Sequence, residues 1–103
     1  MYKLCYFVPE SHLEKTKQAL FQIGAGRIGQ YDSCCWQCLG QGQFRPLAGS
    51  DPFLGQQGLV EKVSEYRVEL VCEDRLIRDA VTALRQAHPY EQPAYEVYRL
   101  EDL

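Results

Sequence analysis

The chain has 103 residues, the length of one domain, and that is enough to bury a core without metal or disulfide staples. Apolar residues make up 46% and charged residues 24%, the balance of a globular protein rather than a disordered or fibrous one. The net charge is −3 with both signs interspersed, which argues against nucleic acid as a partner, because phosphate binding needs Lys and Arg clustered on one face.

At the N-terminus the apolar run Leu4–Val8 is followed at once by Pro9 and Glu10, too short a run for a secretion signal. No stretch approaches the length that a membrane helix requires, so no membrane partner is expected. Five cysteines are an odd number, and without an export signal they read as free thiols in a reducing cytoplasm.

Lys3–Val8 reads as a first strand, with Leu4, Tyr6 and Val8 on one face and Cys5 and Phe7 on the other. Apolar residues on both faces suggest a central strand. Ser11-His12-Leu13-Glu14 has the form of a capping box, in which Ser11 and Glu14 would satisfy free N–H groups at a helix start. Leu13, Thr16, Leu20 and Ile23 keep helical spacing, and Gly24 and Gly26 supply the stop. A second strand is expected over Gly29–Leu39 and a third over Val60–Cys72, where Tyr66, Val68, Leu70 and Cys72 alternate with Glu65, Arg67 and Glu69. Asp74 is a suitable N-cap for a second helix with the stripe Leu76, Ile77, Ala80, Val81, Leu84 and Ala87, ended by Pro89. Ala94–Leu100, entered through Pro93, suits an edge strand.

The order is β-α-β-β-α-β, the ferredoxin-like α+β pattern: an antiparallel sheet with two helices on one face. The first and third strands should be central. Residues 1–103 then form a single domain, and the uncovered sheet face, with two free edges, points to self-association. Gly40–Leu59 is a long glycine-rich hairpin connection; it holds Phe44, Leu47, Phe53, Leu54 and Leu59 and only two charges, Arg45 and Asp51, so it should be folded. It is expected to pack against its own sheet or a neighbouring subunit and to lie close to His88.

Three motifs carry possible chemistry. Gly24-Ala25-Gly26-Arg27-Ile28-Gly29 matches the dinucleotide-binding spacing, but it follows a helix and enters a strand, the reverse of what phosphate binding needs. It reads as a helix stop and tight turn. Cys35 and Cys38 form a C-x-x-C, yet in a strand they would point to opposite faces, and buried thiols are the simpler reading. His88-Pro89-Tyr90-Glu91 is the best candidate for site chemistry, an imidazole beside a carboxylate, held rigid by Pro89 and Pro93, that could bind a metal or shuttle a proton; a histidine that caps helix carbonyls is the alternative. His12, in the first helical turn, reads as exposed.

The segments GAGRIGQYDSCCWQCLGQGQFRPLAGSDPFLGQQG (Gly24–Gly58) and HPYEQPAYEVY (His88–Tyr98) resemble the inserted domain of the YqfO-type NIF-three-like proteins. The resemblance covers essentially the whole chain. It implies a fold similar to the CutA and P-II signalling proteins, and with it a homo-oligomer, a trimer or else a dimer. In the larger proteins the insert separates two lobes with a two-metal site, and some members bear a GTP cyclohydrolase-like label. This chain matches the insert, with His12 and His88 its only histidines, so the hydrolase label is not expected to transfer.

The function expected is a self-associating small-molecule or metal-sensing regulatory module, with no cofactor named and no catalytic or metal residues assigned. Its ligand site is expected from Gly42, Phe44, Arg45, Glu65, His88 and Glu91. Two other readings are an enzyme with a subunit-junction site, His88 and Glu91 doing acid–base work and Arg45 holding an anion, and a pure protein-interaction module.

Overall fold

The computed structural model describes residues Met1–Leu103. Its elements are β1 (Tyr2–Pro9), α1 (Leu13–Gln22), β2 (Trp36–Phe44), β3 (Glu61–Cys72), α2 (Ile77–Ala87) and β4 (Tyr95–Arg99), with single 3-10 turns at Glu10–His12 and Asp74–Leu76. The strands form one antiparallel sheet in the order β2-β3-β1-β4. β1 and β3 are therefore central and β4 is an edge, as the expected topology requires. No helix is long and apolar enough to cross a membrane.

Alternation along the strands divides the two faces. Leu4, Tyr6 and Val8 of β1 and Val68, Leu70 and Cys72 of β3 point to the helices and pack with Leu13, Leu20, Ala80 and Leu84 into the core. Tyr6 is fully buried, and its hydroxyl donates to Thr16 Oγ1 at 2.9 Å. Thr16 in turn donates to the carbonyls of His12 and Leu13 at 2.9 Å each. A polar bridge thus joins sheet to helix inside the core without leaving a hydroxyl unpaired.

The other face is not the apolar surface that Cys5 and Phe7 suggested. Cys5 is fully buried, and its neighbours across the sheet are Glu69 and Glu96, while Phe7 stands opposite Arg67. Arg67 pairs with Glu69 at 2.6 Å and Lys3 with Glu69 at 3.7 Å. The face has an apolar centre under charged side chains.

Several boundaries differ from expectation. The second strand begins at Trp36, not Gly29, because residues 24–35 are spent in turns. Gly24, Gly26 and Gly29 all have positive φ, Ser33 has φ 56°, and Ile28 and Tyr31 form an isolated bridge. Gly26 fixes this region: its N–H donates to the Val71 carbonyl at 2.8 Å, and its own carbonyl accepts from Cys34 N–H at 2.8 Å. A Cβ at Gly26 would come 2.8 Å from the Cys34 oxygen, so glycine is required by space as well as by φ. Gly40 and Gly42 lie in β2 rather than in a loop, and the true connection is residues 45–60.

The capping box does not form. A 3-10 turn entered from Pro9 precedes α1, and Ser11 Oγ instead meets His12 Nδ1 at 2.9 Å. Asp74 likewise begins a 3-10 turn and makes no side-chain cap. Cys35 and Cys38 are exposed rather than buried, Cys38 because β2 is an edge strand and Cys35 because it lies in the irregular segment before it; Cys34 is half-buried, and Cys5 and Cys72 are buried.

Candidate functional site

β3 outruns β1. β1 pairs with β3 from Cys72 to Glu65, so Glu61–Ser64 have only β2 beside them. The space beyond the end of β1 is taken by two irregular segments. One is the turn from His88 to Ala94, which leads from α2 into β4; the other is the connection 45–60, folded back on itself.

That connection has internal bonds. Gly58 N–H donates to the Pro46 carbonyl at 2.8 Å and closes its base. Ser50 donates to the Leu47 carbonyl through N–H at 3.1 Å and through Oγ at 2.6 Å. Asp51 N–H donates to Glu91 Oε1 at 3.0 Å, which ties the loop to the turn. Phe53 completes the contact, with its ring centroid 6.2 Å from that of Tyr90 and 5.6 Å from that of His12. The loop folds against its own chain, but its apolar content is only partly covered: Phe44 and Leu54 are half-buried, while Leu47, Phe53 and Leu59 stay 61%, 49% and 59% exposed.

Between loop, turn and sheet lies a cavity of about 250 Å³. Its walls are Phe7, Phe44, Phe53, Leu54 and Tyr90, and its acidic groups are Glu65 and Glu91. Phe44 and Tyr90 stand 6.0 Å apart between ring centroids. The Tyr90 hydroxyl is buried with no hydrogen-bond partner. Burial, and then the nearby Glu65 and Glu61 carboxylates, hold that phenol above the ordinary tyrosine range. No Lys, Arg or His lines the cavity.

Of the residues expected at the site, Phe44, Glu65 and Glu91 come together here. Gly42 lies one step away: Glu65 folds across its bare α-carbon, and a Cβ at Gly42 would collide with the carboxylate. Arg45 is exposed and does not line the cavity; it lies just past the end of β2 at Phe44.

His88 requires a correction. It is 6% exposed, and both ring nitrogens are engaged: Nε2 donates to the Phe7 carbonyl at 2.6 Å, and Nδ1 accepts from Tyr90 N–H at 3.1 Å. Burial lowers its pKa, opposed by the bond to Phe7. It is a neutral support packed 4.8 Å behind the Tyr90 ring rather than a ligand to anything in the cavity. The carbonyl it satisfies belongs to β1, not to the helix that it ends. Tyr90 and Phe53 were not among the expected site residues, although a tyrosine between two prolines and an aromatic in a glycine-rich loop are both signals of a built surface.

No family model matches the chain. It is 41% identical over 97% of its length to a GTP cyclohydrolase 1 type 2 homolog of Halalkalibacterium halodurans, of which it covers 27%. The crystal structure of a Bacillus cereus protein related to NIF3 superposes with a TM-score of 0.84 at 39% identity, over 98% of this chain and 26% of that one. CutA of Pyrococcus horikoshii superposes with a TM-score of 0.73 over 100% of this chain and 87% of that one, at 16% identity, a likeness of fold alone. The chain spans about a quarter of the length of the curated relatives it matches.

Proposed function

We propose, on the premise that this chain is a NIF-three-like insert-type domain of CutA-like fold, that it is a self-associating regulatory module which binds a small molecule at Tyr90. The observation that carries the reading is the cavity itself: aromatic walls around a buried, unpartnered hydroxyl. A concave, mostly apolar site with a few convergent polar groups is the usual form of a small-ligand pocket. Self-association draws support from edge strand β2, which leaves Trp36 56% and Leu39 59% exposed.

The rival readings have less to work with. Acid–base catalysis by His88 and Glu91 lacks a free base, since both imidazole nitrogens are bonded and Glu91 holds the loop. No three His, Cys, Asp or Glu side chains converge to hold a metal, so a metal would need ligands from a second copy. The relatives' name invokes GTP, a polyanion that an acidic cavity of about 250 Å³ does not suit.

A fragment screen by protein-observed NMR tests the reading. Bound fragments should shift the resonances of Phe44, Phe53 and Tyr90. Fragments that bind only elsewhere, or no binding at millimolar concentration, would sink it.

A further inference from the structure

We propose that the cavity selects a small organic cation, its ammonium group seated between the Glu65 carboxylate and the Tyr90 hydroxyl and its apolar body against Phe7, Phe44 and Phe53. The inference rests on the cavity being a ligand site and adds the chemistry of the ligand.

Charge decides the sign. Among the cavity's residues the only ionisable groups besides Tyr90 are Glu65 and Glu91. Glu91 spends one oxygen on Asp51 N–H. Glu65 is half-buried, and its carboxylate, which bears on the Tyr90 hydroxyl beside it, takes part in none of the chain's ion pairs. An anion entering here would meet two carboxylates with no cation to offset them. A neutral ligand could donate a hydrogen bond to the Glu65 carboxylate but would leave its charge uncompensated as it covers it, which is costly. An ammonium pairs it and has donors left for the Tyr90 oxygen, the other polar group without a partner.

The walls suit the same ligand. Phe7, Phe44, Phe53 and Tyr90 line the cavity with aromatic rings, a surface suited to an organic cation and its carbon skeleton. A bare metal ion gains nothing from such walls. Size sets the upper limit: an apolar cavity of about 150 Å³ takes benzene, whereas drug-sized ligands fill roughly 300–1,000 Å³. At about 250 Å³, this one admits a single ring with a short aminoalkyl chain.

Three probes of one skeleton separate the alternatives: phenethylammonium, phenethyl alcohol and hydrocinnamate, titrated at neutral pH into the full chain while the Phe44, Phe53 and Tyr90 resonances are followed. The ammonium should bind at least about tenfold more tightly than the alcohol, as a charged hydrogen bond in a sheltered site implies, with the carboxylate weakest. Glu65→Gln should reduce the ammonium to the affinity of the alcohol and leave the alcohol unchanged, while Glu14→Gln on the exposed face of α1 should do neither. If the alcohol or the carboxylate binds at the cavity as tightly as the ammonium, the cation inference fails and the ligand site stands. If Glu65→Gln keeps the full preference, Glu91 or diffuse surface charge explains it and the seat at Glu65 and Tyr90 fails. If none of the three moves the cavity resonances, the inference and the site fall together. The order of the probes on the unmutated chain is decisive even if the Glu65 variant does not fold.

Discussion

The imidazole of His88 and the carbonyl of Phe7 form a 2.6 Å hydrogen bond that joins the end of α2 to β1 across 81 residues of sequence. With Tyr90 N–H occupying the other nitrogen, the ring is held as one neutral tautomer at the back of the cavity. This bond, rather than any ligand contact, is what the histidine of the HPYE motif supplies.

His88→Ala should therefore cost about 2–3 kcal/mol in denaturant unfolding, since it empties a buried site and leaves the Phe7 carbonyl unpaired. His88→Gln, which keeps a donor near Nε2, should cost less. The folded pKa lies below the ordinary 6.5, so the unfolded chain takes up the proton more readily. The contribution is complete above pH 6.5 and is lost as pH falls from there to the depressed folded value. Wild-type stability should drop across that window and the drop should flatten in His88→Gln; parallel curves would contradict the assignment.

Gly42→Ala separates stability from binding. The new methyl group meets only the movable end of Glu65, which must swing off β2, and a strand glycine otherwise gains from a side chain. Unfolding free energy should stay within about 1 kcal/mol of wild type. The preference for phenethylammonium over phenethyl alcohol should nevertheless vanish, because the carboxylate has left the cavity.

Glu91→Ala removes the acceptor of Asp51 N–H and with it the tie between loop and turn. Amide exchange at Asp51 and its neighbours should quicken, while the core strands keep their protection. Unchanged exchange at Asp51 would show that the aromatic contacts of Phe53 alone hold the loop.

The thiols should react in order of burial. Cys35 and Cys38 are exposed, whereas burial raises the pKa of Cys5 and Cys72 and hides them from reagent. Brief alkylation of native protein should label Cys35 and Cys38 first, and Cys5 and Cys72 only after unfolding. Mass mapping that finds Cys5 among the first would overturn the placement of its covering side chains.

Light scattering coupled to size exclusion should give the mass of a trimer, or failing that a dimer, at micromolar concentration. Trp36→Glu on edge strand β2 should reduce that mass without unfolding the chain, because the residue is exposed within the subunit. A monomer mass for the wild type would end the self-association reading.

Much of this architecture was legible in the residues. Alternation along β1 and β3 and the two helical stripes placed the sheet order and the core. The misplaced start of β2 has a local cause: the backbone between Gly24 and Cys35 turns through positive φ at Gly26, Gly29 and Ser33, and apolar Ile28 and Tyr31 imitate a strand there. At the site, Phe44 and Glu65 could be found by face. Arg45 could not be set aside by parity alone, since Gln43, the other chain neighbour of Phe44, does line the cavity. His88 could not be judged that way, because nothing local reveals that a carbonyl 81 residues away consumes its donor. The partnerless Tyr90 hydroxyl was equally hidden, being a property of packing rather than of pattern.

Pro9 ends β1 opposite Glu65, and a proline has no N–H with which to extend a ladder. Had the strand run on, its backbone would lie beside Ser64–Glu61, where β3 now has a neighbour on one side only. The cavity is thus a vacancy in the sheet, a missing length of strand roofed by side chains. Insertions or deletions that change where β1 stops should open or abolish the site more readily than substitutions among its aromatic residues, and related chains can be sorted by where that proline falls.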